Sequence, residues 1–190
     1  MASTLWRVFP WDPGAAEGEP FSPSFIPPAS GQGRFDLADP GARVLYLAHT
    51  PEHAVAEAIQ GFRGARLREV HLVRGGAPLA LCSVAVTPTP GGRVADLRDP
   101  RVLSRHRLPP DRIASRHRSV TQPVAAALLK EGYRGLRWWS AFWGDWHTTV
   151  LFFPPGIPET SPLRFGDPEV LELDTPALLG AAALLGMEVG

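Results

Sequence analysis

The chain has a single cysteine, Cys82, among its 190 residues. One cysteine excludes an intramolecular disulfide and a zinc site built from several cysteines. Because Cys82 lies in the apolar run 79–86, we predict that it is a small residue of the core. A chain of this length can bury a sizeable core without a disulfide or a metal, so we predict a single domain over residues 1–190.

The chain also lacks an excess of either charge and a long apolar run. Its 19 basic and 19 acidic residues give a formal net charge of zero, which does not indicate a general binder of nucleic acids or anionic membranes. No stretch approaches the roughly 20 apolar residues of a membrane span, and the first residues lack the apolar segment of a signal peptide. We therefore predict a cytoplasmic protein of bacterial type that binds neither nucleic acid nor membrane directly.

The motifs of several common catalytic sites are absent from the sequence. There is no GxxxxGK(S/T) phosphate loop and no GxGxxG after a strand, so neither a P-loop nor a Rossmann dinucleotide site is indicated. The six histidines form no HExxH motif, and no serine lies in a GxSxG elbow. The sequence therefore gives no indication of a P-loop or Rossmann nucleotide site, of a helical zinc hydrolase or of an α/β-hydrolase.

The stretch 33–59 contains the main candidates for functional residues in this sequence. Residues 44–48 are a short apolar run bounded by turn residues, which predicts a buried strand. Thr50, followed by a proline and Glu52, is a helix start signal. Three chemically different side chains therefore lie on a loop, a strand and a helix that follow one another: Arg34, Tyr46 and Glu57. A unit of this kind can fold them around one cleft.

Each of these three residues also has a purely structural interpretation. Arg34 follows a Gly-Gln-Gly sequence and can be a solvated loop charge. Tyr46 lies in an apolar strand and can belong to the core, with its hydroxyl bound to a backbone carbonyl. Glu57 shares a helical stripe with His53 and Gln60, and can simply face water. Spacing alone leaves both interpretations open.

Periodicity and turn residues predict strands and helices in mixed order along the rest of the chain. Residues 4–9 are predicted to be an edge strand, on which Arg7 faces either the cleft or solvent. Further strands are predicted at 66–73, 79–86, 94–97, 136–139 and 148–153. A turn or short helix is predicted at 100–103. Further helices are predicted at 124–131 after a Thr-Gln-Pro cap, and at 176–187, the last packed on the protein body or on a second subunit.

Two further segments have open interpretations. Residues 101–118 contain six arginines and two histidines, which are typical of a solvated surface and also suit an acidic partner or a nucleotide's phosphates; a nucleic-acid patch is the least favoured alternative. Residues 134–153 contain four of the six tryptophans, around Ser140 and Asp145. Such crowding is typical of a core or an interface, and it can also form a stacking wall for a base or a nicotinamide ring.

The run GRFD, a spacer, VLYLA, a Thr-Pro-Glu helix start and AVAEAI resembles the RES-domain family, the toxin components of RES–Xre toxin–antitoxin systems. That family is named for an arginine, a glutamate and a serine. The matching positions are Arg34 in GRFD, Glu57 in AVAEAI and Ser140 in WWSAFWGD. Tyr46 in VLYLA matches the family's strand tyrosine, and Arg7 in LWRVF matches an arginine near the start of the domain.

The resemblance covers residues 5–153, which we interpret as the motif-bearing core, and leaves 157–190 as a C-terminal helical extension. Two departures from the family pattern are the long proline-rich segment before Arg34 and the tryptophans around Ser140. The resemblance implies an α/β (α+β) fold with a single domain, a mixed twisted sheet and flanking helices, similar to the ADP-ribosyltransferase fold.

The resemblance also implies a function. Members of the family degrade NAD+ by cleaving the nicotinamide–ribose bond, through phosphorolysis with inorganic phosphate as co-substrate or through hydrolysis, and a cognate Xre-type antitoxin neutralises them. NAD+ is then a substrate, and no prosthetic group or metal is implied. A homodimer or a hetero-oligomer with the antitoxin is expected. Two alternatives stay open: a protein ADP-ribosyltransferase that uses NAD+, and a catalytically inactive binding module of the same fold.

The chemistry of NAD+ cleavage suits the matched residues. Departure of nicotinamide leaves an oxocarbenium-like ribose, which a carboxylate such as that of Glu57 stabilises. Arg34 and Arg7 suit the pyrophosphate, because guanidinium groups bind phosphates through paired N–H donors. Tyr46 is expected to stack on the nicotinamide or to hydrogen-bond near it, and Ser140 to orient the substrate rather than to act as a nucleophile. The expected catalytic residues are Glu57, Arg34 and Ser140.

Overall fold

The computed structural model describes residues 3–87, 92–140, 144–156 and 163–190. Strands and helices alternate irregularly within these residues, as in a mixed α/β fold. The strands are β1 (Ser3–Pro10), β2 (Arg43–Ala48), β3 (Val73–Arg74), β4 (Ala77–Val86), β5 (Val94–Asp96), β6 (Gly135–Trp139), β7 (His147–Phe153), β8 (Leu163–Phe165) and β9 (Glu169–Val170). The α-helices are α1 (Pro51–Ile59), α2 (Pro100–Arg105), α3 (Pro110–Ala114), α4 (Arg118–Lys130) and α5 (Pro176–Leu185), with 3-10 turns at Gln60–Phe62 and Glu69–Leu72.

The chain folds into two compact units, each assembled from separate stretches of sequence. The first, called the Arg34 unit below, contains Ile26–Tyr46 and Val86–Pro162. The second, called the Glu57 unit, contains Ser3–Phe25, Leu47–Ala85 and Leu163–Gly190.

The sheet of the Arg34 unit is mixed. β6 and β7 are antiparallel, with Leu136 opposite Val150, whereas β5 and β6 are parallel, with Ala95 opposite Leu136. β2 neighbours β7, so the order in this unit is β2-β7-β6-β5. α4 packs on β6, and α3 packs on α4. A mixed sheet with flanking helices confirms the predicted fold class.

The core of the Arg34 unit fixes the loop that precedes β2. Phe35 and Leu37 are buried members of this core on either side of Asp36. Burying an apolar side chain of this size stabilises a fold by about 1.5–3 kcal/mol, so two such side chains anchor the loop firmly. The strands and helices contribute the other buried residues, which include Val44, Leu97, Leu103, Ile113, Val124, Leu128, Leu136, Trp138, Val150 and Phe152.

The strands of the Glu57 unit lie in the order β3-β4-β1, followed by the end of β2 from Leu47 onward, since the boundary between the units falls within β2. β1 and β2 are antiparallel, with Trp6 opposite Ala48, and β3 and β4 are antiparallel, with Val73 opposite Pro78. β8 and β9 also pair with β4. β1 therefore lies between β4 and β2, and the prediction of an edge strand at residues 4–9 is wrong. Leu5 and Phe9 are buried, as expected of an interior strand with one covered face.

α1 begins as the sequence predicts. The Thr50 hydroxyl accepts a hydrogen bond from the His53 amide at 3.1 Å, the first helical residue is a proline, and Glu52 lies in the first turn. α1 packs against α5 within the Glu57 unit, so α5 packs on the protein body, one of its two predicted positions. Among the residues that the structure describes, no helix is long and apolar enough to cross a membrane.

Two predicted elements differ from the observed ones. The predicted strand at 66–73 is mostly a loop and a 3-10 turn, because the Arg68 amide donates to Nδ1 of His71 and Val70 is exposed. The predicted helix at 124–131 begins earlier, at Arg118, and Pro123 lies inside it. The Thr-Gln pair that predicted a helix cap does not cap the helix; its side chains bind the loop that carries Arg34.

Candidate functional site

The five predicted site residues divide between the two units. Arg34, Tyr46 and Ser140 belong to the Arg34 unit, and Arg7 and Glu57 belong to the Glu57 unit. Arg34 and Tyr46 are brought into one hydrogen-bonded network. We call residues 30–37, which form its irregular part, the Arg34 loop.

Tyr46 and Asp36 form the centre of this network. The Tyr46 hydroxyl donates to Oδ1 of Asp36 at 2.9 Å and accepts from the Phe35 amide at 2.9 Å. The other oxygen of Asp36 accepts from the Gly33 amide at 2.9 Å and from the Ser30 hydroxyl at 3.5 Å. Asp36 is only 4% exposed, so a buried carboxylate and a strand hydroxyl set the backbone on both sides of Arg34.

Gly33 and Tyr46 are adapted to this close packing. A Cβ atom at Gly33 would overlap both the Asp36 carboxylate and the Tyr46 hydroxyl, so only glycine fits. Burial, and next the charge of Asp36, raise the pKa of Tyr46 above its ordinary value of 10.0. The phenol therefore remains a hydrogen-bond donor throughout the neutral and mildly alkaline range.

The first turns of α4 bind the same loop from a distant part of the sequence. The amide nitrogen of Gln122 donates to the carbonyls of Gly31 (3.0 Å) and Gly33 (2.9 Å). The Thr121 hydroxyl donates to the carbonyl of Arg34 itself. A third side chain on this helix, Arg118, donates from Nε to the Gln32 carbonyl at 2.7 Å. Four successive loop carbonyls, from residue 31 to residue 34, thus accept hydrogen bonds from one helix.

The guanidinium of Arg34 is half-buried and has a defined position. One terminal nitrogen donates to the Ile113 carbonyl at 2.6 Å, near the end of α3 where helical carbonyls lack intrahelical partners. The guanidinium carbon lies 5.2 Å from the centre of the Phe35 ring, within the range of a cation–π contact. The Arg34 side chain is therefore an oriented cation rather than a freely solvated loop charge.

Glu57 lies on the last turn of α1 and its side chain is 40% exposed. His53, one turn earlier and fully buried, places Nε2 at 3.3 Å from one carboxylate oxygen. Nδ1 of His53 accepts from the His49 amide at 3.4 Å, which assigns the ring hydrogen to Nε2 and makes it the donor to Glu57. The side chain of Gln60 donates to the other carboxylate oxygen at 3.1 Å. Both oxygens of this exposed carboxylate are thus held by its own helix and the turn that follows.

Arg7 in β1 is more buried than a solvated strand arginine. One of its terminal nitrogens donates to the carbonyls of Pro23 (3.1 Å) and Phe25 (2.9 Å). Burial lowers the pKa of the Arg7 guanidinium and, as the larger of two effects, raises the pKa of the Cys82 thiol to about 11. Cys82 is 1% exposed, which confirms the prediction that it is a core residue.

Ser140 follows β6 directly and is half-exposed, and its amide donates to the Trp146 carbonyl at 2.8 Å. Residues 141–143, including Trp143 of the predicted aromatic wall, lie outside the described residues. Trp138 and Trp146 are buried, whereas Trp139 is 36% exposed. Trp138 belongs to the core of the Arg34 unit, which favours the core interpretation for this tryptophan.

Residues 101–118 are largely a solvated surface. Arg101, Arg105 and Arg112 are exposed on the short helices α2 and α3. Two exceptions are Arg118, whose Nε binds the Arg34 loop, and His106, whose buried ring contacts Glu131 and Tyr133. Within the part of the chain that the structure describes, no group of three or more His, Cys, Asp or Glu side chains is placed to hold a metal ion.

Sequence reasoning missed the residues that support the predicted ones. Asp36 is the last residue of the GRFD run, and a polar residue between two apolar ones was the available signal. His53 was detectable by its spacing of four from Glu57 on one helix. Thr121 and Gln122 lie more than 80 residues from the loop, and nothing local in the sequence connects them with it.

The fold and the oriented polar groups define a mixed α/β protein with an arginine-bearing loop and a carboxylate-bearing helix. The family model of the RES domain matches residues 4–173, and the chain therefore belongs to the RES domain family. The match extends beyond residue 153, where the resemblance in the sequence had been expected to end.

A solved structure supports the assignment of the fold. In the crystal structure of the M. tuberculosis MbcT-MbcA toxin-antitoxin complex, one chain superimposes with a TM-score of 0.60 at 21% sequence identity. The superposition covers 98% of this chain and 91% of that one. A comparison with curated proteins gives no match. The structural likeness establishes a shared fold.

Proposed function

We propose that this protein is a toxin that degrades NAD+ by cleaving the nicotinamide–ribose bond and that an antitoxin neutralises it. Membership of the RES domain family supports the proposal, as does the shared fold with a chain of a toxin–antitoxin complex. The motifs GRFD, VLYLA and AVAEAI, which carry the resemblance to NAD+-degrading toxins, supply the oriented cation, the strand phenol and the carboxylate.

The observation that carries the proposal is the state of Glu57. A surface carboxylate with no function ordinarily samples several rotamers, and ordering it costs conformational entropy. Here a fully buried histidine and a glutamine hold one oxygen each. The two hydrogen bonds hold the ionised carboxylate in one orientation. Such a group can stabilise positive charge on a ribose and accept hydrogen bonds from its hydroxyls.

The proposed reaction breaks the bond between C1′ of the ribose and the nicotinamide nitrogen. The electron pair of that bond leaves with nicotinamide, which becomes neutral, and the ribose becomes an oxocarbenium-like cation. Glu57 stabilises this cation electrostatically. In phosphorolysis an oxygen of inorganic phosphate then forms the new bond to C1′, whereas in hydrolysis water forms it and releases a proton to solvent.

The remaining residues have binding roles in this proposal. Arg34 holds the pyrophosphate as an oriented guanidinium. Tyr46 contributes its ring beside the substrate, because its hydroxyl is engaged by Asp36 and the Phe35 amide. Arg7 and Ser140 keep the substrate-binding roles that the resemblance implies. For Arg7 a structural role is the competing interpretation, since Pro23 and Phe25 accept from its guanidinium.

The proposed partner is an antitoxin of the Xre type. This chain shares its fold with one chain of a toxin–antitoxin complex, and the resemblance of its motifs to RES toxins supports an Xre-type antitoxin. We propose that such an antitoxin covers the NAD+ site, so that the complex is inactive. Mixing the protein with a cognate antitoxin should suppress NAD+ consumption.

The deciding experiment incubates the purified protein with NAD+, with and without phosphate, and separates the nucleotides by chromatography. Loss of NAD+ with release of nicotinamide is expected, and phosphate dependence distinguishes phosphorolysis from hydrolysis. Labelled NAD+ added to a cell lysate detects protein ADP-ribosylation, the alternative activity. Intact NAD+ under all conditions would favour the inactive binding module.

The matched variants for this experiment lie on one helix. Glu57→Ala should reduce turnover by about 100-fold or more, the size of effect that electrostatic stabilisation supplies, with an unchanged melting temperature because the side chain is substantially exposed. Glu52→Gln removes a carboxylate from the first turn of the same helix and should retain turnover. Wild-type turnover in Glu57→Ala would refute the assignment of this residue.

A further inference from the structure

We propose that Thr121 and Gln122 of α4 are positioning residues for Arg34, and that they set the affinity for NAD+ rather than the rate of its cleavage. This inference rests on the proposed function, because it assigns the Arg34 guanidinium to the pyrophosphate of the substrate. Neither residue belongs to the motifs that carry the family resemblance.

The first argument is the target of these side chains. Thr121, which is fully buried, donates to the backbone carbonyl of Arg34, the residue that is to be positioned. Gln122 bridges the carbonyls of Gly31 and Gly33 with one nitrogen. The three hydrogen bonds therefore act on the backbone around Arg34 and leave the guanidinium to other contacts.

The second argument is the composition of the loop. Gly31 has a φ of +72°, and a second glycine follows two residues later. Glycines have the largest conformational freedom of all residues, and a binding group on a mobile segment loses affinity because binding must then order the segment. A loop with two glycines that carries a phosphate-binding arginine needs external hydrogen bonds to stay in one conformation, and α4 supplies them.

The third argument separates positioning from fold stability. α4 packs on its unit through buried apolar residues such as Val124, Ala125 and Leu128. Gln122 is half-exposed, and both of its described hydrogen bonds go to the loop. Removing its amide therefore leaves the packed face of the helix intact and changes the restraint on the loop.

The test compares the kinetics of NAD+ consumption in four variants. Gln122→Leu and Thr121→Val remove the donors while they keep side-chain size, and each should raise KM about fivefold to tenfold with kcat within about twofold of wild type. Thr121→Ser keeps the hydroxyl and should restore the wild-type KM. Ser119→Ala, an exposed position on the first turn of the same helix, is the control and should change neither constant.

A double-mutant cycle identifies Arg34 as the group through which these residues act. In an Arg34→Ala background, Gln122→Leu should leave KM unchanged, because the positioned side chain is absent. An additional rise of KM in that background would overturn the inference, since Gln122 would then act independently of Arg34.

The possible results separate this inference from the proposed function. If the wild type consumes NAD+ and both Gln122→Leu and Thr121→Val have a wild-type KM, the positioning role is refuted and the proposed function stands. If they lower kcat and leave KM unchanged, the positioning role is refuted as well. If the wild type itself leaves NAD+ intact, the proposed function fails, and the inference about NAD+ affinity fails with it.

Discussion

The Arg34 loop and the Glu57 helix hold their key side chains by opposite means. Two hydrogen bonds that orient Glu57 come from residues three and four positions away, Gln60 and His53, so these contacts are encoded within two helical turns. The Arg34 loop is held by a strand tyrosine ten residues away from Asp36 and by side chains of α4 that lie 86 to 91 residues away. One group depends on helix formation, and the other depends on the completed tertiary structure of its unit.

This difference predicts different consequences of substitution. Side chains that hold Glu57 bind a single loop amide, that of the exposed His49, so their loss should affect catalysis more than stability. Asp36 and Tyr46, which hold the Arg34 loop from within its unit, satisfy buried polar groups, so their loss should affect stability as well. Four substitutions test this comparison, in order of decreasing effect.

Asp36→Ala should have the largest effect on stability. It leaves the Gly33 amide and the Tyr46 hydroxyl without their acceptor in a buried site, and we expect the free energy of unfolding to fall by about 3 kcal/mol. Urea unfolding followed by tryptophan fluorescence measures it. Asp39→Ala, at an exposed carboxylate three residues further on, is the control. Equal stability of the two variants would contradict a loop held by its buried network.

Tyr46→Phe should have an intermediate effect on stability, about 1–2 kcal/mol, because the Phe35 amide and Asp36 each lose one partner. The pKa of Tyr46 is raised in the folded state above its ordinary 10.0. The folded state therefore keeps a proton that the unfolded state releases, so this contribution is complete below about pH 10 and falls as the pH rises further. Urea unfolding at pH 8 and pH 10.5 should show a smaller alkaline loss in Tyr46→Phe than in wild type.

His53→Leu should separate catalysis from stability. The leucine fills the buried site, and the His49 amide that loses its long hydrogen bond to Nδ1 belongs to an exposed residue, so we expect the free energy of unfolding to change by less than about 1 kcal/mol. One oxygen of Glu57 loses its donor, and kcat for NAD+ should fall about tenfold, equivalent to about 1.4 kcal/mol. Steady-state kinetics and thermal unfolding of one preparation measure both. A large loss of stability with unchanged kcat would show that His53 serves the fold rather than the orientation of Glu57, contrary to this expectation.

Asp96→Asn should have the smallest effect of the four substitutions on the free energy of unfolding. The hydrogen bond from Arg98 holds the pKa of Asp96 below its ordinary 3.8. Its stabilising contribution is therefore present above about pH 4 and is lost as the pH falls below that value. Because the two side chains are 37% and 24% exposed, solvent screening limits it to about 0.5 kcal/mol. Urea unfolding at pH 7 and pH 3 should show a larger difference between wild type and Asp96→Asn at pH 7 than at pH 3.

The same contrast explains which parts of the candidate site were predictable. Periodicity located α1 and placed Glu57 on its polar stripe, because a hydroxyl cap and helical spacing are local properties. The strand of Tyr46 was predicted from an apolar run. The role of the Tyr46 hydroxyl was not, since it depends on how the Arg34 loop turns back onto β2. Asp36 and Gln122 could not be assigned from spacing, because their partners are defined only in the folded chain.

The errors in the fold have a similar origin. Residues 66–73 alternate in hydrophobicity, yet His71 stacks on Phe62 at 4.4 Å and caps a 3-10 turn. β1 was expected at an edge, because sequence alone does not reveal that β4 pairs with it. Local patterns identified most elements, whereas the order of strands depended on contacts between distant segments.

The burial of Cys82 has a practical consequence for spectroscopy. Its thiol is 1% exposed and its pKa is raised to about 11, and alkylating reagents need an accessible thiolate. A second cysteine placed on the surface, for example near the Arg34 loop, would therefore take up a maleimide dye or a spin label selectively while the native cysteine stays in place. In the unaltered protein, the rate of slow modification of Cys82 would measure how often the molecule unfolds enough to expose this thiol.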